Sequence, residues 1–370
     1  MAHSVRNILI FQSCYPLGLD LVATAASSRE LRRAFPEARI GIATNNKGVE
    51  LYRHNIFGIE SFDVSFDQKN LPGLEFFESM AKINEGQYDT ALVFPLAEPD
   101  YLNVMRYGGR FSTRIGVDGG NSLIQRHYPR LFPEKGFETP FMDAFGFTGF
   151  SRMSGTQGSG KGYLGDLFLT YLEPLGVDVT GLDSRPEVWA SSRDVESIGE
   201  YFGGLGITGA DFVFGLNVGG RQGNNSWDTK NYIDFVNRLF DRTGGKVSGS
   251  ALKLVINYAR HEIGVFEDIM GSVSASLPVY GVPKHMTIGQ LSEVVGRCDF
   301  IFTTDTGTAH VAAAKDTPAV VLYPNEDNRT RWMYPRPKVL PLVGKEHVND
   351  IDVQRALLST YLAMYEWGKS

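Results

Sequence analysis

Short apolar runs alternate along the chain with segments whose apolar residues recur at helical spacing. Runs such as residues 7–12 and 39–44 contain several β-branched side chains and predict buried strands. The segments between such runs, for example residues 20–34, predict amphipathic helices. Because each predicted strand is followed by a helix, the pattern indicates parallel sheets in a doubly wound α/β arrangement.

This alternation occurs twice, and an irregular stretch separates the two occurrences. It stops in a segment rich in Gly, Phe and Pro at residues 118–160 and restarts at residue 212, after a linker at 176–186. We therefore expect an α/β fold with two Rossmann-like doubly wound domains that face each other across a cleft. The predicted divisions of the chain are 1–185, 186–350 and a C-terminal helix at 351–370 that can pack back on the first domain.

Composition limits the classes of protein to which the chain can belong. The 370 residues are 42% hydrophobic and 21% charged, and the net charge of −6 argues against nucleic acid as a partner. No apolar run reaches the length of a transmembrane helix, and the first residues lack the layout of a signal peptide. Cys14 and Cys298 form no CxxC motif and predict neither a disulfide framework nor a thiolate metal site. These features favour the cytoplasm.

The clearest chemical signal is a polar turn between a predicted strand at 300–304 and a predicted helix. The turn contains Asp305, Thr306, Gly307, Thr308, Ala309 and His310. Unpaired N–H groups and the helix dipole at such a helix start favour an anion, typically a phosphate, and a glycine allows close approach. The alternative is that Asp305 or Thr306 only caps the helix.

A second candidate phosphate contact follows the first strand of the second domain, predicted at 212–218. The turn and the start of the next helix contain Asn217, Gly219, Gly220, Arg221, Asn225 and Trp227. An arginine beside two glycines suits this role because its guanidinium group can bind a phosphate through two donors at once. The alternative is an ordinary strand-to-helix turn in which Trp227 packs as a hydrophobic staple.

Charged residues near other predicted strand ends are candidates for further roles. Asp20 opens the first helix and could act as a general base, since partial desolvation would raise its pKa. The alternative is an acid favoured by the helix dipole.

Glu262 could accept hydrogen bonds from a ribose or a base, or only begin a helix. Arg106, Arg110 and Arg114 recur every four residues and could meet an anionic acceptor, although a solvated face is the usual explanation.

Two other patterns carry less chemistry. Residues 155–161 fit G-x-x-x-x-G-K, but Gly162 stands where a nucleotide phosphate loop needs Ser or Thr, and no strand is predicted before it. We therefore interpret this segment as a loop. His310 and the other histidines lack the spacing of metal ligands, so the sequence predicts no metal site.

Several of these motifs together resemble glycosyltransferase family 9, the ADP-heptose:lipopolysaccharide heptosyltransferase family, and the resemblance runs over most of the chain. Residues 304–318 are similar to the family signature D-[ST]-G-x-x-H-x-A-x-A-x-x-x-P. Asp20 followed by Arg-Arg-Ala-Phe-Pro at 32–36 is similar to the family's first strand–helix unit. The turn at 219–227 is similar to its G…K-x-W element, and Glu262 to its acidic nucleotide contact.

The resemblance implies a GT-B fold and an inverting, metal-independent glycosyltransferase that moves a sugar, usually heptose from ADP-heptose, onto an acceptor hydroxyl. Asp20 would be the catalytic base, and the turn at 306–308 would hold the pyrophosphate. The first domain would bind the acceptor and the second the nucleotide sugar, without a cofactor. The partners would be a nucleotide-sugar donor and a saccharide or small-molecule acceptor, usually lipopolysaccharide core, with peripheral membrane contact as an option.

Three positions depart from the family pattern. Leu19 is an extra residue before Asp20, Asn225 replaces a lysine, and Asp228 replaces a proline. Arg221 could supply the cation that the lysine would have provided. Two alternative functions stay open: a GT-B-fold sugar-nucleotide epimerase or hydrolase, which would turn over the donor without an acceptor, and a nucleotide-sugar-binding protein without catalysis.

Overall fold

The chain divides into two compact units, Met1–Ser184 and Arg185–Ser370. The computed structural model describes residues 7–12, 21–64, 74–94, 104, 111, 113–116, 149–150, 162–220, 223–274 and 277–367. In each unit the described strands form one sheet made of parallel pairs, with a single antiparallel addition in the second. None of the described helices has the length and apolar character needed to span a bilayer.

The first unit contains a parallel sheet in the order β3-β2-β1-β4-β5-β6. Its strands are β1 Asn7–Phe11, β2 Arg39–Thr44, β3 Glu60–Asp63, β4 Thr90–Val93, β5 Thr113–Gly116 and β6 Gly149–Phe150. Its described helices are α1 Leu21–Ala34, α2 Asn46–Tyr52, α3 Leu74–Glu85 and α4 Leu164–Thr170, with a 3₁₀ turn at Glu173–Leu175. Helix α2 starts where it does because the Asn45 side chain accepts hydrogen bonds from the first backbone N–H groups.

The second unit contains a parallel sheet in the order β10-β9-β7-β11-β12-β13, to which β8 adds antiparallel to β9. Its strands are β7 Phe212–Asn217, β8 Lys246–Val247, β9 Ser250–Asn257, β10 Val279–Gly281, β11 Phe300–Thr304, β12 Ala319–Tyr323 and β13 Val339–Val343. Its helices are α5 Ser192–Gly204, α6 Thr229–Thr243, α7 Ile263–Ser272, α8 Ile288–Arg297, α9 Gly307–Lys315, α10 Glu326–Trp332 and α11 Val353–Trp367. Two 3₁₀ turns cover Arg260–Glu262 and Val348–Asp350.

The two sheets share one strand order. Without β8, the strands of the second unit follow the same 3-2-1-4-5-6 sequence as those of the first. This order places β1 beside β4 and β7 beside β11, where the direction of winding reverses. Ligands of such sheets bind outside the carboxyl ends of the strands at this reversal. The predicted α/β fold class with parallel sheets is confirmed.

The closing helix α11 packs on the second unit, whereas the sequence suggested packing on the first domain. Its buried residues Ala356, Leu357, Ala363 and Met364 belong to the core of the second unit. The helix contacts α6, β12 and β13. The physical reason is that these residues form two adjacent pairs two turns apart on one face, and this face completes the apolar cover of the sheet.

Candidate functional site

The carboxyl ends of β7, β9 and β11 meet the start of α9 through a buried network of side-chain hydrogen bonds. Asn217 ends β7 and is only 4% exposed. Its Nδ2 lies 3.1 Å from Thr303 Oγ1 and 3.3 Å from Thr306 Oγ1. Its Oδ1 accepts from Asn257 Nδ2 at 2.6 Å and from Thr308 Oγ1 at 3.1 Å. One amide therefore holds the first turn of the helix against three strands.

Helix α9 begins at Gly307 without a side-chain cap. Thr306 occupies the N-cap position in an extended conformation (φ −142°, ψ 172°), but its side chain makes no capping hydrogen bond. Its hydroxyl lies 3.2 Å from Thr303 Oγ1, inside the buried network. The Asp305 carboxylate accepts from Asn328 Nδ2 at 3.1 Å. The structure therefore does not adopt the capping alternative for Thr306. An uncapped helix start with a glycine at its first position suits an anion.

The turn after β7 is fixed on both sides by other parts of the unit. The Gly219 carbonyl oxygen accepts from Thr304 Oγ1 at 2.6 Å, and the Gly220 N–H donates to Glu262 Oε1 at 3.1 Å. A Cβ on Gly220 would lie 2.4 Å from the carbonyl oxygen of Asn225, so a larger residue would displace the backbone there. The glycines of this turn therefore serve close packing within the protein.

Glu262 lies beside this turn rather than open to solvent. Its side chain is 11% exposed. The second carboxylate oxygen, Oε2, accepts from the Ala259 N–H at 2.7 Å, and His261 Nε2 lies 3.2 Å from Oε1. Burial raises the pKa of Tyr232, and the negative charge of Glu262 raises it further.

The sequence of the second unit also matches a known family. Residues 219–352 match the profile of glycosyltransferase family 9 (heptosyltransferase). The predicted resemblance to glycosyltransferase family 9 is confirmed. This matched segment contains the turn at 219–220, Glu262 and the whole of α9, and no curated protein sequence matches the chain.

Solved structures of a family 9 glycosyltransferase and of two heptosyltransferases share the fold over nearly the entire chain. A family 9 glycosyltransferase from Veillonella parvula matches with a TM-score of 0.76 at 16% identity, covering 99% of both chains. The ADP-heptose lipopolysaccharide heptosyltransferase II of E. coli matches with a TM-score of 0.68 at 16% identity, covering 98% of this chain and 99% of its own. E. coli WaaC with ADP gives 0.60 at 10% identity, covering 98% and 99%. These likenesses show the shared fold, and the family profile supports a glycosyltransferase, as the sequence predicted.

Trp227 and Asn225, two residues of the family-like turn, have different surroundings inside the unit. Trp227 is 2% exposed, and its Nε1 donates to the Ile351 carbonyl oxygen at 3.1 Å. Its ring lies 5.2 Å from the ring of Tyr232 in an edge-to-face contact. The staple alternative thus describes the tryptophan better than donor contact does. Asn225 Oδ1 is buried and has no hydrogen-bond partner among the described residues.

The replacement of the family proline by Asp228 also has a local explanation. The Asp228 N–H donates to Asn349 Oδ1 at 2.8 Å, and Asn349 Nδ2 donates back to Asp228 Oδ1 at 2.9 Å. A proline could not donate the first of these bonds. Asp228 therefore attaches the start of α6 to the loop before α11.

The remaining predicted site residues fall into two groups. His310 is described and buried, at 2% exposure, with its ring 5.9 Å from that of Trp332. Arg114 lies in β5. Outside the described residues lie Asp20, Arg106, Arg110, Arg221 and the loop 155–161. Within the described ranges, no three or more His, Cys, Asp or Glu side chains are grouped as a metal site.

Sequence reasoning missed several residues that build this site. Asn257, Thr303, Thr304 and Asn328 all bond directly to predicted site residues. The available signal was the position of three of them, since Asn257, Thr303 and Thr304 are polar residues at the carboxyl ends of otherwise apolar strands. Polar side chains in a buried strand need a partner, and the ends of neighbouring parallel strands supply one.

Proposed function

We propose that the chain transfers a sugar from a nucleotide-sugar donor to the hydroxyl of a saccharide or small-molecule acceptor. The observation that carries this proposal is the Asn217 network, which fixes the uncapped start of α9 at the carboxyl edge of the second sheet. In sheets of this order, nucleotides bind at that edge. The match to the glycosyltransferase family 9 profile over residues 219–352 supports the same assignment.

The chemistry of the leaving group explains why a helix start is suited to the reaction. Cleavage of the bond between the sugar and a nucleoside diphosphate leaves additional negative charge on the diphosphate. The partial positive charge at the start of α9, beginning at Gly307, stabilises that charge without a metal ion. In this proposal Thr306, Gly307 and Thr308 hold the diphosphate, and Asp305 lies next to the sugar that it carries.

The finer proposal is an inverting transfer of heptose from ADP-heptose. The acceptor oxygen attacks the anomeric carbon on the face opposite the diphosphate, and Asp20 takes the proton of the acceptor hydroxyl. Support for the donor comes from the fold shared with the E. coli ADP-heptose lipopolysaccharide heptosyltransferase II, and support for Asp20 comes from the sequence motif. In this proposal lipopolysaccharide core is the acceptor, and the reaction takes place in the cytoplasm at the membrane surface.

The donor is tested by thermal stability with ADP, UDP, GDP, CMP and ADP-heptose. A ligand present at 100 times its Kd should stabilise the folded protein by about 2.7 kcal/mol, which is a shift of several degrees. We expect ADP and ADP-heptose to give this shift and the other nucleotides to give less. Stabilisation by UDP or GDP alone would leave a nucleotide-sugar enzyme and reject ADP-heptose, whereas no shift with any compound would reject the proposal.

The reaction is tested with Asp20→Asn. This variant should bind ADP as the wild type does and lose transfer by about 10²- to 10⁴-fold, the usual contribution of a general base. Donor turnover without an acceptor, followed by product analysis, is the control. Rapid acceptor-independent turnover would identify an epimerase or hydrolase, and tight binding without any turnover would identify a binding protein.

A further inference from the structure

We infer that the nucleobase of the donor stacks on an aromatic pair, Tyr258 and Phe266, at the carboxyl edge of β9 and β10. This inference rests on the proposed function and deepens it, because it assigns the part of the site that receives the base. The diphosphate still lies at the start of α9, and Glu262 keeps the nucleotide contact that the family resemblance implies.

The strand order sets the direction in which a nucleotide can extend along the carboxyl edge. The sheet runs β10-β9-β7-β11, with the start of α9 after β11 and Glu262 in the turn after β9. A diphosphate at Gly307 with its ribose near Glu262 therefore directs the base toward β10. Neighbouring strands are about 4.8 Å apart, so β9 and β10 lie two and three spacings, about 10–14 Å, from β11. This span is comparable to the length of an extended nucleoside diphosphate.

An aromatic pair lies at that end of the edge. Tyr258 follows the last residue of β9, and Phe266 lies in the first turn of α7. Their ring centroids are 4.3 Å apart and their planes are within 11° of parallel, which is a stacked arrangement. Both side chains pack against the core of the unit but are only partly buried, so part of the stack remains at the surface. A base can extend such a stack because every base has a π-face.

The end of β10 leaves room for this stack. A Cβ on Gly281, the last residue of β10, would lie 2.6 Å from Cζ of Phe266 and 3.4 Å from Cε1 of Tyr258. The glycine thus allows the two rings to lie directly against the end of the strand. Tyr201, from α5, donates to the Gly281 carbonyl oxygen at 2.5 Å and fixes this backbone. Three aromatic side chains from different elements therefore meet where the base is expected.

The chemistry of this surface matches a nucleobase better than the other parts of a nucleotide sugar. Ribose, sugar and diphosphate carry hydroxyl groups or charge, and polar groups such as Glu262 and the start of α9 suit them. A flat base gains affinity from a flat aromatic surface by stacking, about tenfold or more. A pair that served packing alone would gain from full burial of both rings, which this pair does not have.

The first test measures Kd by calorimetry for ADP and inorganic pyrophosphate with wild type, Tyr258→Leu and Tyr258→Phe. Tyr258→Leu removes the ring, so we expect Kd for ADP to rise about tenfold or more and Kd for pyrophosphate, which has no base, to stay the same. Tyr258→Phe keeps the ring and should bind both ligands as the wild type does. Tyr361→Leu disrupts a similar pair on α11, where the Tyr361 and Tyr365 rings are 4.8 Å apart, and should change neither value.

Two results of this test would overturn the inference. One is an unchanged Kd for ADP in Tyr258→Leu. The other is an equal loss of ADP and pyrophosphate, which would mean that Tyr258 only supports the adjacent turn. Binding of ADP without sugar transfer would reject the proposed function and leave the base site in place, so the two failures are distinguishable.

The second test uses adenosine, which carries no phosphate and therefore reports on the base site alone. Saturation-transfer NMR should show transfer from aromatic side chains to the adenine ring protons with wild type and Tyr258→Phe, and much less transfer with Tyr258→Leu. Equal transfer with all three proteins, or no transfer with wild type, would overturn the inference.

Discussion

The carboxyl edges of the two sheets each contain a buried amide at the end of the central strand, but the two amides differ in their hydrogen bonding. Gln12 follows the central strand β1, Asn217 ends the central strand β7, and both are buried amides. The Asn217 amide bonds to side chains from β9, β11 and α9. The Gln12 amide has no hydrogen-bond partner for either its oxygen or its nitrogen among the residues that the structure describes.

The same contrast occurs at a threonine in each unit. Thr44 ends β2 and Thr304 ends β11, and both are fully buried. The Thr304 hydroxyl donates to the Gly219 carbonyl oxygen, whereas the Thr44 hydroxyl has no hydrogen-bond partner within the described ranges. In two sheets of the same topology, buried polar groups at the carboxyl edge can therefore have opposite effects on the stability of the fold. A satisfied network stabilises the fold, while unsatisfied buried groups cost stability.

The largest effect is expected for Asn217→Leu. This substitution keeps roughly the side-chain volume but removes the four hydrogen bonds that the amide makes to Asn257, Thr303, Thr306 and Thr308. Each lost bond costs about 1 kcal/mol, so we expect a loss of about 4 kcal/mol in the free energy of unfolding. All four tryptophans lie in the second unit, so urea unfolding followed by tryptophan fluorescence reports this change. A loss below about 1 kcal/mol would contradict the importance of the network.

For the matched substitution in the first unit, Gln12→Leu, we expect a gain in the free energy of unfolding instead of a loss. Gln12→Leu removes two buried polar atoms that have no hydrogen-bond partner among the described residues. We expect the free energy of unfolding to rise by about 1–2 kcal/mol. Differential scanning calorimetry measures this change, because the first unit contains no tryptophan. If Gln12→Leu destabilised the unit as strongly as Asn217→Leu, the two edges would be energetically alike.

A smaller loss of stability is expected for Thr304→Val, and Thr44→Val is its control. Thr304→Val preserves shape and removes the bond to the Gly219 carbonyl oxygen, at a cost of about 1 kcal/mol or somewhat more. Thr44→Val should be neutral or stabilising, since its hydroxyl has no described partner. Thermal unfolding of the two variants side by side measures the difference. Equal destabilisation by both substitutions would show that the hydroxyl contacts do not distinguish the edges.

The smallest effect is expected for the pH dependence of the stability of the second unit, to which Asp350 contributes. The pKa of Asp350 is lowered by hydrogen bonds from the backbone N–H groups of Glu346, His347 and Lys345. The loop closed by this aspartate bonds to the candidate turn, since the Val348 N–H donates to the Asn224 carbonyl oxygen at 2.9 Å.

Because the folded pKa lies below the unfolded value, the stabilisation is complete above about pH 5 and is lost as pH falls through the folded pKa. Asp350→Asn should therefore flatten the decline in stability of the second unit between about pH 5 and pH 3. Urea midpoints measured by tryptophan fluorescence across that range test this expectation. Identical slopes for wild type and variant would show that Asp350 does not contribute.

Much of the fold could be predicted from sequence because strands and helices differ in their apolar period. The run at 300–304 followed by Asp-Thr-Gly identified β11 and the helix after it, although α9 begins at Gly307, inside the segment 305–310 predicted as a turn. Strand β13 escaped prediction because Pro341 interrupts it, and a proline within an apolar run argues against a strand except at a sheet edge, where β13 lies. Helix α5 was missed although Ser191 and Asp194 form a capping box at its start.

The side-chain partners in the site could not be predicted in the same way. Asn257 and Thr308 are 40 and 91 residues from Asn217, so their hydrogen bonds depend on the order of strands in the sheet. The motif pattern also gave Trp227 a ligand role that its burial does not support. Local patterns therefore identify elements and turns, while the partners of each polar group follow only from tertiary structure.

The position of α11 has a consequence for how the protein is made. Helix α11 supplies Ala356, Ala363 and Met364 to the core of the second unit, so that unit stays incomplete until the ribosome has translated residues 353–367. The first unit ends at Ser184 and has an apolar core of its own. Because domains fold as units during synthesis, we expect the first half to fold while the second is still being translated. A premature stop before residue 353 would then leave one folded half and one that exposes its apolar sheet to aggregation.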